Sequence, residues 1–83
     1  MELLYFAWLR EKVGIASETV PLPDGVKNVH GLLAWMADRG PGYAEAMKDL
    51  SVVRVAVNQE FSQPTDAVKD GDEIAFFPPV TGG

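Results

Sequence analysis

Apolar side chains crowd the start of the chain, recur at helical spacing through its middle and alternate near its end. Residues 2–9, ELLYFAWL, mix aromatic and aliphatic side chains without a break and predict a strand. On a strand, Leu3, Tyr5 and Ala7 face one way, and Leu4, Phe6 and Trp8 the other. Both faces are apolar, so this strand is either central and covered twice, or offers one face to another protein. REKVG turns the chain, with Gly14 as the stop signal. SETVPL, 17–22, predicts a second strand, and Pro21 either demotes it to an edge or marks its end. Pro23-Asp24-Gly25 is turn chemistry: proline presets φ, and glycine supplies positive φ.

The period then changes. Val29, Leu32, Leu33 and Met36 stand at i, i+3, i+4 and i+7, one apolar stripe of a helix with Asn28 as its N-cap. Gly40-Pro41 ends that helix, and Tyr43, Met47 and Leu50 repeat the spacing on a shorter one. VVRVAVN, 52–58, is rich in β-branched residues and predicts a strand with Val53, Val55 and Val57 on one face. Asn58-Gln59 begins a tight turn, Pro64–Val68 is a loop or short helical turn, and Asp70-Gly71-Asp72 turns into a last strand, EIAFF, 73–77. The order is strand, strand, helix, short helix, strand, short segment, strand. A helix after a hairpin returns the chain parallel to the first strand by a right-handed crossover. The expected class is α+β: a ubiquitin-like β-grasp roll, a mixed sheet with one main helix and short helices.

Composition narrows the chemistry more than the fold. Eighty-three residues make one small domain with a modest core. Seven basic against twelve acidic residues give a net charge of −5. No basic stripe exists to neutralise phosphates, so nucleic acid is disfavoured and a partner with a basic surface mildly favoured. Without cysteine there is no disulfide, thiol nucleophile or thiolate metal site. His30 is the single histidine, so a zinc site would need carboxylates for nearly all its ligands, and none is expected. The apolar start lacks a basic leader and a small-residue cleavage site and is too short to span a bilayer. It reads as a core strand of a cytoplasmic protein with no membrane partner. The glycines have no phosphate-loop spacing, and no catalytic triad or acid–base pair stands out. Asp70 and Asp72 read as turn formers, His30 as a surface or boundary residue, and Trp8 and Trp35 as packing.

LYFAWLREKVG near the start and VNQEF with DGDEIAFFPPVTGG at the end resemble the MoaD branch of the MoaD/ThiS sulfur-carrier family. The ThiS branch usually lacks Pro-Pro before Gly-Gly, so Pro78-Pro79 favours the molybdopterin branch. The resemblance implies a ubiquitin-like fold and the role of sulfur carrier, the small subunit of molybdopterin synthase, in molybdenum cofactor biosynthesis. It implies that an E1-like (MoeB-like) enzyme uses ATP to adenylate Gly83. Sulfur from a donor protein then makes a thiocarboxylate. The tail enters a MoaE-like large subunit and donates sulfur to cyclic pyranopterin monophosphate. The resemblance also implies a heterotetramer in which this chain is non-catalytic alone and binds no cofactor.

The tail suits such chemistry on physical grounds. A carboxylate is a poor electrophile, whereas its adenylate is an acyl donor that a sulfur nucleophile can attack. Gly82 and Gly83 lack a Cβ and pass through a narrow channel; Pro78 and Pro79 cannot continue a sheet and stiffen an extended path. From Pro78 the path through Val80 and Thr81 to Gly83 spans roughly 20 Å at about 3.3 Å per residue. The expected division is a β-grasp body at 1–77 and an extended flexible tail at 78–83. Phe6, Phe61 and Phe77 are expected to form an exposed apolar patch at the tail's root, with Arg10 beside it for an acidic group on a partner. Three other readings remain: a carrier for another pathway such as thiamine or cysteine synthesis, a ubiquitin-like modifier joined to lysines, and a purely structural interaction domain.

Overall fold

The computed structural model describes residues 1–79. Its elements are β1 (Glu2–Tyr5), α1 (Ala7–Val13), β2 (Ser17–Thr19), α2 (Val29–Ala37), α3 (Pro41–Met47), a 3₁₀ turn (Leu50–Val52), β3 (Arg54–Val57), β4 (Glu60–Phe61) and β5 (Glu73–Phe77). The five strands form one mixed sheet in the order β2-β1-β5-β3-β4. Only the β1–β5 pairing is parallel. Side chains from the three helices join one face of this sheet in a single core. The expected α+β grasp roll is therefore the observed class.

The stripe on α2 behaves as its spacing predicts: Val29, Leu32, Leu33 and Met36 are all buried. Asn28 caps the helix, its Oδ1 accepting the Gly31 N–H at 2.8 Å. From the sheet, Leu3, Tyr5, Val55, Ile74 and Phe76 meet these residues. Leu3, Leu32, Met36, Ile74 and Phe76 are wholly shielded from solvent. At about 1.5–3 kcal/mol per buried aliphatic or aromatic side chain, this contact set is the main force that closes the roll.

Four local expectations are corrected. The strand predicted over 2–9 stops at Tyr5, and its second half is α1. The Phe6 N–H still donates to the Phe76 carbonyl at 3.1 Å, continuing the ladder by one residue. Ala7 then adopts φ +54°, in the left-handed region, and swings the chain off the sheet. Leu9 turns inward on α1, and Gly14 closes that helix with φ +95° and an N–H donated to the Arg10 carbonyl at 2.8 Å. Trp8 thus packs on a helix rather than a strand face.

Gly40-Pro41 starts α3 rather than ending α2, which already stops at Ala37; proline is at home in a first helical turn, where its missing N–H costs nothing. Leu50 does not extend the buried stripe of α3. It lies in the 3₁₀ turn and is 42% exposed. Finally, the strand after the helices is not the parallel neighbour of β1. Two helices separate β2 from β3, β3 runs antiparallel to β5, and β5 supplies the parallel pairing.

The edges agree better with the sequence. Strand β2 is an edge, as Pro21 suggests, and Gly25 and Gly71 take the positive φ their turns require. Asn58 and Gln59 have φ of +51° and +69° and join β3 to β4 as a two-residue hairpin. Strand β4 was hidden in the sequence because it holds only Glu60 and Phe61.

Candidate functional site

The helix-free face of the sheet can be built row by row from its register. Leu4, Ala75, Ala56 and Phe61 lie side by side across β1, β5, β3 and β4. One row nearer the end of β5, Phe77 stands opposite Arg54. Phe6 continues β1 beside Phe77, since its N–H is bonded to the Phe76 carbonyl. At the opposite end of the same face, Glu2 pairs with Glu73. The face therefore runs from acidic, through aliphatic, to aromatic as it approaches Pro78.

Three aromatic side chains expected at this place are on that face. Phe61 is 78% exposed and Phe6 49% exposed, while Phe77 is half-buried. The Phe61 and Phe77 rings are 5.8 Å apart between centroids and tilted by 52°. Water-exposed rings in contact with each other are costly on a lone molecule and are favoured anchors for a partner. Phe76, one residue earlier, points the other way and stacks on Tyr5 inside the core at 5.5 Å. Arg10 is exposed in the last turn of α1, and among the described residues no ion pair involves it. Strand β5 ends at Phe77, and Pro78 and Pro79 follow it, half-buried. Val80, Thr81, Gly82 and Gly83, the rest of the expected tail, lie outside the described residues.

A second polar constellation gave no sequence signal. Glu18 on β2 accepts four hydrogen bonds: from the Tyr5 hydroxyl at 2.7 Å, the Tyr43 hydroxyl at 2.8 Å, and both terminal nitrogens of Arg39 at 2.8 Å each. The Arg39 guanidinium also lies over the rings of Tyr43, at 4.3 Å, and Trp35, at 4.7 Å. Its hydrogen bonds to Arg39 hold the Glu18 carboxyl at about 2, against burial that works in the opposite direction. Burial, then the hydrogen bond to Glu18, pushes the Tyr5 hydroxyl well above its ordinary value. Both carboxylate oxygens and both tyrosine hydroxyls are engaged within the cluster, so it clasps β2 to α2 and α3. The signal that could have found it is weak: a lone Glu on a strand and an Arg just past a helix.

Among the described residues, no group of three or more His, Asp or Glu could hold a metal ion, and no helix is long and apolar enough to cross a membrane. What the face presents is a group of exposed and half-buried aromatic rings beside Pro78. A profile described as the ThiS family matches residues 3–83. The chain belongs to the ThiS family.

Within reach of this family assignment, the chain is 39% identical over 83 residues to the molybdopterin synthase sulfur carrier subunit of Haemophilus influenzae, covering 100% of this chain and 99% of that one. It is 40% identical over 85 residues to the protein of the same name from Chlamydomonas reinhardtii, covering 100% and 98%. Among solved structures, SAMP1 from Haloferax volcanii superimposes with a TM-score of 0.73 at 30% identity, covering 100% of this chain and 98% of that chain. The ThiS-family match runs through Gly83, so it takes in the whole of the expected tail.

Proposed function

We propose that this chain is a sulfur carrier, the small subunit of a molybdopterin synthase. The single observation that carries the reading is its similarity over the full length, tail included, to proteins named molybdopterin synthase sulfur carrier subunit. The physical arrangement supports it. A folded body over 1–77 sets an aromatic face at the root of a glycine-ended tail over 78–83.

In this reading, an activating enzyme of the E1 kind brings ATP. A carboxylate oxygen of Gly83 attacks the α-phosphorus, and pyrophosphate leaves. The terminal sulfur of a donor protein's persulfide attacks the acyl carbon and AMP leaves, giving an acyl disulfide; a thiol then attacks the donor's sulfur, forms a disulfide with it and releases the thiocarboxylate. The large subunit receives Val80, Thr81, Gly82 and Gly83 in its own active site, and the sulfur passes to a cyclic pyranopterin monophosphate. Phe6, Phe61 and Phe77 anchor the body against each partner in turn, with Arg10 at the margin for a carboxylate. Two large subunits at the centre and one carrier at each end make the assembly, in the cytoplasm.

The test is the intact mass of the full chain after incubation with the activating enzyme, ATP and a sulfur source. The expected result is a gain equal to the difference between one sulfur and one oxygen, mapped to Gly83 and absent when Gly82-Gly83 is deleted. Adding the large subunit and precursor should return the original mass with formation of the dithiolene. No gain, with an activating enzyme proven on another carrier, overturns the reading.

A further inference from the structure

The rings of Phe61 and Phe77 come from β4 and β5, the two neighbours of β3, and their centroids are 5.8 Å apart. They therefore close over β3 on the helix-free face. Ala56 of β3 lies beneath them and is only 9% exposed, although it faces away from the core. The other β3 residue on this face is Arg54, which is exposed and stands across from Phe77. In the rows that run from Phe77 to Glu73 it is the one basic residue. Strands β3 and β5 are antiparallel, so β3 begins at the end of the sheet where β5 gives way to Pro78. The Arg54 Nη1–H donates to the Ser51 carbonyl at 3.1 Å, which holds the guanidinium toward that same end. Among the described residues no carboxylate forms an ion pair with it. A guanidinium carries five N–H donors, and the Ser51 carbonyl takes up only one direction.

We propose that Arg54 is a specificity-determining contact of this face: on docking it pairs with a carboxylate of the large subunit, at the margin where β5 ends. The inference rests on the functional reading above and adds the chemistry that the partner must present. Any surface broad enough to cover Phe61 and Phe77 also covers the residue across from Phe77. A guanidinium stripped of water there and left unpaired opposes binding, because the cost of desolvating a charge outweighs the apolar contacts around it. The Ser51 carbonyl does not neutralise it. A carboxylate does, in the two-point geometry that suits a guanidinium. A wholly apolar partner surface is thereby disfavoured, and one with a basic group at this margin is rejected. At the far end of the face Glu2 and Glu73 stand side by side. A partner turned end for end would set its carboxylate against these two. The same charges thus fix the direction in which the partner lies along the strands, with its active site on the side of Pro78.

The experiment measures association and dissociation rates of the full chain with the large subunit, for the parent, Arg54→Leu and Arg54→Lys, at low and high salt. Arg54→Leu leaves the partner's carboxylate buried and unpaired, so its complex should dissociate about tenfold faster or more. Arg54→Lys keeps the charge without the planar fork and should fall between the two. The sign of the leucine effect decides the matter. With no carboxylate opposite, leucine extends the apolar patch and removes a charge that had to be desolvated, so binding would hold or tighten. Arg54 is exposed, and the amide spectrum verifies that both variants are folded. Equal or tighter binding by Arg54→Leu overturns the proposal. So does a loss confined to the association rate and abolished at high salt, which makes Arg54 a distant steering charge. A parent chain that does not bind the large subunit at all strikes the functional reading itself, and this proposal with it.

Discussion

Replacing Glu18 by glutamine removes one charge from a carboxylate that accepts four hydrogen bonds. Glu18 is 16% exposed in its side chain and Arg39 22%, so water screens the pair only in part. A carboxyl held at about 2 instead of 4.5 corresponds to about 3 kcal/mol of folding stability at neutral pH. Its folded value is depressed, so this contribution is complete above the unfolded value near 4.5 and is lost as pH falls towards 2. Glu18→Gln should therefore cost about 2–3 kcal/mol at pH 7, the amide keeping some of the tyrosine contacts. For a domain of this size that is a fall in Tm of about 10–20 °C. Urea denaturation of both proteins from pH 7 down to pH 2 measures it. The two stability curves should stand apart at pH 7, draw together below about pH 4.5 and meet near pH 2. A variant within about 0.5 kcal/mol of the parent at pH 7, with a parallel curve through the acid range, would refute the argument and reduce the clasp to an ordinary surface ion pair.

Four other substitutions probe the body and its face. Phe61→Ala should leave stability within about 0.5 kcal/mol while weakening capture of the large subunit by about tenfold or more, whereas Phe76→Ala should cost about 3–5 kcal/mol; thermal melts and a binding titration separate them. Gln59→Gly should raise stability by about 1 kcal/mol by relieving the positive φ of the β3–β4 hairpin, seen as a higher urea midpoint. Gly42→Ala should destabilise the fold by about 1–3 kcal/mol, because a Cβ there would run into the Lys12 carbonyl oxygen and push α3 from α1; hydrogen exchange at Leu9 and Val13 should rise with it.

Local signals determined a good part of this protein. The stripe from Val29 to Met36 with its Asn28 cap, the turns at Gly25 and Gly71, and the alternating EIAFF strand ending at Phe77, just before Pro78, all appear where the sequence places them. Each is decided by residues a few positions apart, through period, capping or backbone φ. Family membership was legible for the same reason, since the blocks that carry the resemblance are contiguous runs at the two ends, and the family match covers residues 3–83.

Other features depended on residues far apart in the chain. Within ELLYFAWL, the strand and helix portions compete on nearly equal terms, and only the register of β1 against β5, with Ala7 turning off the sheet, decides that the strand ends at Tyr5. Phe6, Phe61 and Phe77 could be named from the sequence, but their common face follows from β1, β4 and β5 being brought into one sheet. Glu18 and Arg39 look like two unrelated surface charges until α2 and α3 pack beside β2 and the two tyrosines close over them. Period and propensity act along the chain, whereas pairing, desolvation and charge act through space, and only the folded arrangement brings those groups together.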